Sequence, residues 1–305
     1  MSISPVLIVG SVALDSVETP SGATQRALGG AAVYSSVAAS FFAPVRLVGV
    51  VGEDFPNEHI AFLQSKDIDT QGLQIIPGGR TFHWAGTYEG DMNQANTLAT
   101  ELNVFENFRP ELPDAYKTSE FVFLANIDPE LQLKVLEQVP NAKLTAMDTM
   151  NFWITGKNEA LREVISRVDV IFINDAEIRL LTGITNLHKA AAEVRKMGPK
   201  YVIVKKGEHG AVMYCNDQMY FAAASYPIEE VADPTGAGDS FAGGFMGYVA
   251  SSGHLSHENI RRAVIYGSTM ASYNVQEFSL NRFKRLTKPE IASRYEEFRQ
   301  IVWVE

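Results

Sequence analysis

Asp233-Pro-Thr-Gly-Ala-Gly-Asp239, running on into Ser240-Phe-Ala-Gly-Gly-Phe-Met-Gly-Tyr-Val-Ala250, is the stretch whose reading decides the 305-residue chain. Two glycines and an alanine let a turn bring its backbone N–H groups against an anion, and a helix opening there adds the partial positive charge of its N-terminus. Asp239 falls in the first turn of that helix. A carboxylate beside an anion hole repels phosphate as a ligand, but it suits a base that takes a proton from an attacking hydroxyl. Taken alone, the string reads equally well as a helix N-terminus with acidic residues in its first turn. It is neither of the common nucleotide fingerprints: no GxxxxGK[ST] occurs, and Phe241 stands where a GxGxxG register counted from Gly236 needs its third glycine.

Outward from this turn, short apolar runs alternate with helical patterns, the signature of βαβ units and a mostly parallel sheet. Val6–Gly10, Arg46–Gly52, Phe121–Ala125, Lys143–Asp148, Val168–Asn174 and Tyr201–Lys205 read as buried strands. Helices are expected over 129–138, 187–197, 256–272 and 288–304, and one of small residues opens at Gly29-Gly30. Ser16 to Leu28, turning at Pro20-Ser-Gly22, reads as a hairpin. With an alternating strand over 81–88 and another over 97–104 it would form a small β lid, at about 15–28 and 80–105, over a single domain spanning 1–305. Phosphoryl transfer competes with transfer to water, so a closing lid has a physical purpose. Phe82, Trp84 and Tyr88 are candidate pocket walls, although aromatics on such a strand also serve sheet packing. A hairpin over 211–214 and 218–222, turning at Asn216-Asp217, would end the sheet on an antiparallel edge.

Ligands of open α/β sheets gather at the carboxyl ends of strands. Asp15 follows the first strand and is a candidate hydroxyl-binding carboxylate, with a turn Asp as the alternative. Asp148 and Asn151 follow a later strand. Asn174 and Glu177 have the spacing of a helix cap with its capping-box partner, which by itself is the better reading. Lys205 and Lys206 end a buried run and need an anion or solvent.

The string DPTGAGDSFAGG resembles the signature of the PfkB/ribokinase family of carbohydrate kinases, whose core is DTxGAGD; Pro234 departs from it. The resemblance runs from about Val6 to Ser279 and implies a ribokinase-like three-layer α/β/α domain with a mostly parallel sheet and a β-sheet lid. It assigns the catalytic base to Asp239 and the anion hole to Gly236, Ala237 and Gly238. Gly29-Gly30 resembles the start of the family's GGxxxN, with Tyr34 where the Asn usually stands. By the same resemblance Asp15, Gly29, Gly30, Tyr34, Asp148, Asn151, Phe82 and Trp84 would face the acceptor. Asn174, Glu177, Lys205, Gly207, Gly210, Val264 and Gly267 would hold the nucleotide. Glu177 would orient water on Mg²⁺, an ion that takes oxygen ligands and keeps several waters. Asp233 and Ser279 would lie near a monovalent-cation site, K⁺ being the option. The implied activity is ATP-dependent phosphorylation of a primary hydroxyl. A monosaccharide is the first acceptor considered and a nucleoside the second, with a non-catalytic binding protein as a reading of another class. A homodimer through the lid is a further expectation from the family.

Composition narrows the field. A net charge of −10 and a pI near 5.2 argue against a nucleic-acid-binding surface, so any phosphate site relies on backbone amides and a few lysines. The single cysteine, Cys215, excludes an intramolecular disulfide and a cysteine zinc cluster, and it points to a reducing, cytoplasmic home. Val6 to Leu14 lacks the basic flank of a signal peptide. Ala27 to Val45 is uncharged but is interrupted by serines and stopped by Pro44, short of the roughly 20 apolar residues of a membrane span. The histidines show no metal-ligand spacing.

Overall fold

The computed structural model describes residues 3–215 and 220–302. In chain order the strands are β1 (Val6–Val9), β2 (Ala13–Thr19), β3 (Gly22–Gly29), β4 (Val45–Gly52), β5 (Ile68–Ile76), β6 (Phe82–Tyr88), β7 (Ala95–Glu101), β8 (Phe121–Leu124), β9 (Leu144–Met147), β10 (Val170–Asn174), β11 (Tyr201–Lys205), β12 (Ala211–Tyr214) and β13 (Tyr220–Ala223). The helices are α1 (Ala31–Ser40), α2 (Asn57–Ser65), α3 (Pro129–Gln138), α4 (Asn151–Gly156), α5 (Asn158–Arg167), α6 (Asp175–Thr182), α7 (Leu187–Lys196), α8 (Ala237–Ser252), α9 (His257–Asn274), α10 (Asn281–Arg285) and α11 (Lys288–Val302).

The main sheet has the order β13-β12-β11-β10-β9-β8-β1-β4-β5. It is parallel from β11 through β5, and β12 and β13 add the antiparallel edge. The expected turn at Asn216-Asp217 lies outside the described residues. Strand β1 shows why the parallel strands are apolar throughout: side chains alternate faces, and both faces are covered. Val6 and Ile8 join a core with Val37, Phe245 and Val264, whereas Leu7 and Val9 join a second core with Val135, Leu161 and Val194. Two cores on one sheet make three layers, with α1, α2 and α8 to α11 on one face and α3 to α7 on the other. The chain leaves β1 first toward β4 and β5 and later toward β8 to β13, so the strand order reverses at β1. A crevice opens at the carboxyl ends of the strands at such a point.

The glycines of α8 serve packing. A Cβ at Gly243 would stand 2.2 Å from the Ser35 carbonyl, and one at Gly247 would stand 2.6 Å from that of Ala39. The helix therefore lies backbone to backbone against α1.

The second sheet, β3-β2-β6-β7, is the lid. Its hairpins are antiparallel, but β2 and β6 pair in parallel, with Asp15 beside Trp84. Asp15 is thus a lid-strand residue. The last lid strand runs from Ala95 to Glu101, earlier than the expected 97–104, because residues 103–107 tighten into a 3₁₀ turn. Helices α4 and α5 were not legible beforehand. Among the described residues no helix is long and apolar enough to cross a membrane.

Candidate active site

The turn before α8 is held from below. Gly236 caps the helix at φ 75°, a left-handed conformation natural to glycine. A Cβ there would stand 2.3 Å from the Tyr34 ring, so the phenol lies directly against the turn. The Ala237 amide closes the turn on the Pro234 carbonyl at 3.1 Å, and Ser240 N–H donates to the Gly236 carbonyl at 2.8 Å. Asp233, almost fully buried, accepts from Thr235 N–H and Ser279 N–H, both at 2.9 Å. Asn274 donates to the Thr235 carbonyl at 2.7 Å. These bonds fix the direction in which Asp239 and the free end of the helix point.

Asp239 sits half-buried on the first turn of α8. Burial pushes its carboxyl up from 3.8 to about 7, with Asp148 adding to the rise and Lys205 opposing it. A carboxylate poised near neutrality has the pKa a general base needs.

Strand register gathers the next group. Asn174 ends β10 directly beside Lys205, which ends β11, and Asp148 follows β9 on the other side. The Lys205 ammonium meets the Asp148 carboxylate at 2.6 Å. Burial lowers the pKa of this lysine, but Asp148 and Glu177 outweigh it and raise the pKa. Lys205 also reaches over the helix turn, 2.9 Å from where a Cβ of Gly238 would stand. Asn174 and Glu177 form a reciprocal capping box, each bond 2.8 Å, as the residues alone had indicated. Burial nevertheless pushes Glu177 up to about 7, with Lys205 opposing and Asp148 adding. Three carboxylates, Asp148, Glu177 and Asp239, thus face one lysine.

The lid forms the opposite wall. Asp15 is buried, and the Gly30 amide donates to it at 3.2 Å. A Cβ at Gly29 would stand 1.9 Å from this carboxylate, so the double glycine makes room for Asp15 as well as opening α1. Burial raises Asp15 to about 7 against the pull of the Gly30 amide, and Asp233 and Asp239 add to it. Tyr34 is only 2% exposed, and its hydroxyl takes no hydrogen bond among the described residues. Burial, then Asp15, Asp233, Tyr88 and Asp239, hold the phenol well above its ordinary value. With its ring buried against Gly236, Tyr34 is not placed to stack on a ligand ring. Tyr88 reaches Thr235 at 3.4 Å. Trp84 lies over Gly86 and donates to Thr97 at 3.3 Å, while Phe82 stacks on Phe105 at 5.3 Å in the lid's own base.

On the far side of the α8 turn lies a cavity of about 350 Å³, reached by Lys205, Gly207, Gly210, Ala237, Gly238 and Phe241. Four expected nucleotide contacts are absent from its wall, Asn174 and Glu177, which cap each other at the start of α6, and two residues of α9. Val264 is fully buried in the core, and Gly267 packs on α8, its Cβ position 2.8 Å from the Phe241 carbonyl. The wall falls one turn later, at Ser268, Ala271 and Ser272 of α9 and at Val275 just beyond it. Helical periodicity shows which residues share a face, but not which turn meets the ligand. Asn151 also departs from expectation: it is exposed at the start of α4, and the Phe152 amide donates to its side chain. Asp148 belongs with Lys205. Ser225 to Ile228, Val231 and the lid residues Asp91 to Asn93 line the cavity without any sequence motif to announce them.

Among the described residues no three His, Cys, Asp or Glu side chains are placed to hold a metal directly. Magnesium fits this donor set, because it needs only one or two carboxylates and otherwise keeps water and phosphate oxygens. Asp148 and Glu177 are the carboxylates that would hold it. The two residues expected near a monovalent-cation site lie together: the Asp233 oxygens accept the Thr235 and Ser279 amides, and the Ser279 hydroxyl donates to the Leu28 carbonyl at 2.6 Å.

Comparison with known proteins agrees with this architecture. A family profile described as pfkB family carbohydrate kinase matches residues 4–285. A cytidine kinase of Thermococcus kodakarensis is 33% identical over 245 residues, 79% of this chain and 87% of that protein. A nucleoside kinase of Methanothermobacter thermautotrophicus is 26% identical over 286 residues, 89% of each. Among solved structures, the nucleoside kinase of Methanocaldococcus jannaschii superposes with a TM-score of 0.78 at 22% identity, covering 97% of this chain and 100% of that one. Arabidopsis thaliana ribokinase, solved with ribose and ATP, has a TM-score of 0.78 at 20% identity, covering 97% and 99%. With a profile match over nearly its whole length and a one-third identical relative, the chain belongs to the pfkB family of carbohydrate kinases, phosphotransferases that act on an alcohol group.

Proposed function

We propose that the protein is an ATP-dependent nucleoside kinase in which Asp239 takes the proton from a primary hydroxyl of the nucleoside. The carrying observation is the position of Asp239. It follows Gly238, which lines the cavity, on the first turn of α8, and it is close enough to Asp15, Tyr34 and Tyr88 for its charge to raise their pKa values. The hydroxyl, once relieved of its proton, attacks the terminal phosphorus of ATP in line. The Gly238 end of the helix and the Lys205 ammonium stabilise the charge on the transferring group. Asp148 and Glu177 would hold magnesium, largely through water; when bound it neutralises charge between the phosphates. Asp15 orients the acceptor's other hydroxyls, and the lid excludes water.

A nucleoside replaces the monosaccharide as the leading acceptor because the most similar relatives cited are named for cytidine and nucleosides. A panel of cytidine, uridine, adenosine, inosine, ribose and fructose, read by ADP release, tests the choice. Turnover of a nucleoside at least tenfold above ribose is expected. Faster turnover of ribose would restore the sugar reading, and turnover no greater than that of Asp239→Asn across the panel would favour a non-catalytic binder. A homodimer through the lid is supported by β3 and β7, edge strands that pair on one side only among the described residues, and sedimentation tests it. A cytoplasmic location is supported by the single cysteine.

A further inference from the structure

The lid does more than cover the acceptor. Strand β6 ends at Tyr88, beside Thr235 on the acceptor side, and the chain then turns through Asp91, Met92 and Asn93 onto the wall of the nucleotide cavity. There Met92 and Asn93 face an opposite wall that includes Ile228, Val231, Ala271 and Val275. The contact with the main domain is close. A Cβ at Gly207 would stand 2.3 Å from the Asn93 side-chain oxygen, so the glycine both permits the φ of 54° and admits the lid tip. The tip is shaped for this approach: Met92 N–H donates to the Glu89 carbonyl, Asn93 N–H donates to Asp91, and Met92 is held at φ 57°. Methionine adapts to irregular apolar surfaces, and the Asn93 amide can both donate and accept.

We infer that the lid tip, Asp91 to Asn93, is part of the nucleotide site, with Met92 and Asn93 touching the bound nucleotide when the lid is closed. This rests on the kinase reading. One short strand then joins both substrates, since Tyr88 meets Thr235 on the acceptor side and the residues just beyond it face the donor. Acceptor binding closes the lid and so raises nucleotide affinity, and by linkage the nucleotide tightens acceptor binding by the same factor.

The test is calorimetric titration of the full-length protein with a non-hydrolysable ATP analogue and Mg²⁺, with and without a saturating nucleoside that is turned over. Variants Met92→Gly and Asn93→Ala lie on a surface turn, and glycine suits the positive φ, so folding is preserved. The wild type is expected to bind the analogue about tenfold more tightly with nucleoside present. Each variant should lose most of that gain while its affinity for nucleoside alone stays within about twofold of wild type. Full coupling in both variants would overturn the inference and leave the kinase reading standing. Equal losses of nucleotide and nucleoside affinity would also overturn it, by showing that the tip only shapes the lid. A wild type that binds no analogue under any condition would remove the kinase reading and this inference together.

Discussion

Replacing Asp239 by asparagine should make the protein inactive and, at the same time, more stable. The site places Asp239 near Asp148 with a single lysine between several acids, and burial raises its pKa from 3.8 to about 7. A raised carboxyl pKa means that the folded state prefers the proton. Its stabilising effect is full below pH 3.8 and is lost as the pH rises through about 7. At 1.4 kcal/mol per pKa unit, the ionised form costs the folded protein about 4 kcal/mol at pH 8 and about 2 kcal/mol at pH 5. These are ceilings, because water reaches a half-buried carboxylate. Asparagine keeps the shape and removes the charge. For a chain of this size about 1 kcal/mol corresponds to roughly 2 °C. The variant's Tm should therefore exceed wild type by up to about 8 °C at pH 8, but by only about 4 °C at pH 5, in nucleotide-free protein followed by circular dichroism. Turnover should fall by about 10²- to 10⁴-fold. A variant with equal Tm increments at both pH values would refute the electrostatic reasoning, and one that keeps a tenth of wild-type turnover would refute the role of Asp239 as base.

Other outcomes follow from the same geometry. With Asp239 titrating at about 7, kcat/KM should fall about tenfold per pH unit below that value, and an acid limb absent down to pH 5 would contradict it. Lys205→Met leaves the Asp148 carboxylate buried without its partner, so urea denaturation should show a loss of about 3 kcal/mol, and ATP should bind more weakly; unchanged stability would show the pair to be dispensable. Gly236→Ala meets both a left-handed φ and the Tyr34 ring. A loss of about 2 kcal/mol is expected, part of which Tyr34→Ala should restore in the double variant. Tyr34→Phe removes only the unbonded hydroxyl, and the expected result is a KM for the nucleoside raised about tenfold with little change in Tm; an unchanged KM would make Tyr34 a packing residue.

Much of this molecule is written locally. The buried β-branched runs, the double glycine before α1, the capping box at Asn174 and the glycine-bounded turn before Asp239 each act over a few residues, where backbone sterics and hydrogen bonding leave few options. These features made the parallel sheet, the lid hairpin at Pro20-Ser21 and the place of Asp239 at the start of α8 legible. Other features depend on what a residue meets across the fold. The family resemblance put Val264 and Gly267 against the nucleotide, but the packing of α9 on α8 makes this turn core and the cavity wall includes Ser268, Ser272 and Val275. The pattern DTMN suggested a shared role for Asp148 and Asn151, yet strand register sends the first to Lys205 and leaves the second in solvent. Tyr34 gave no hint that its ring would press on Gly236, a residue some 200 positions away. The sequence alone determined which chemistry was available, because reactive groups and turn-forming residues declare themselves in short strings. The tertiary structure decided which groups meet, since contacts between distant segments depend on register and packing that no local string contains.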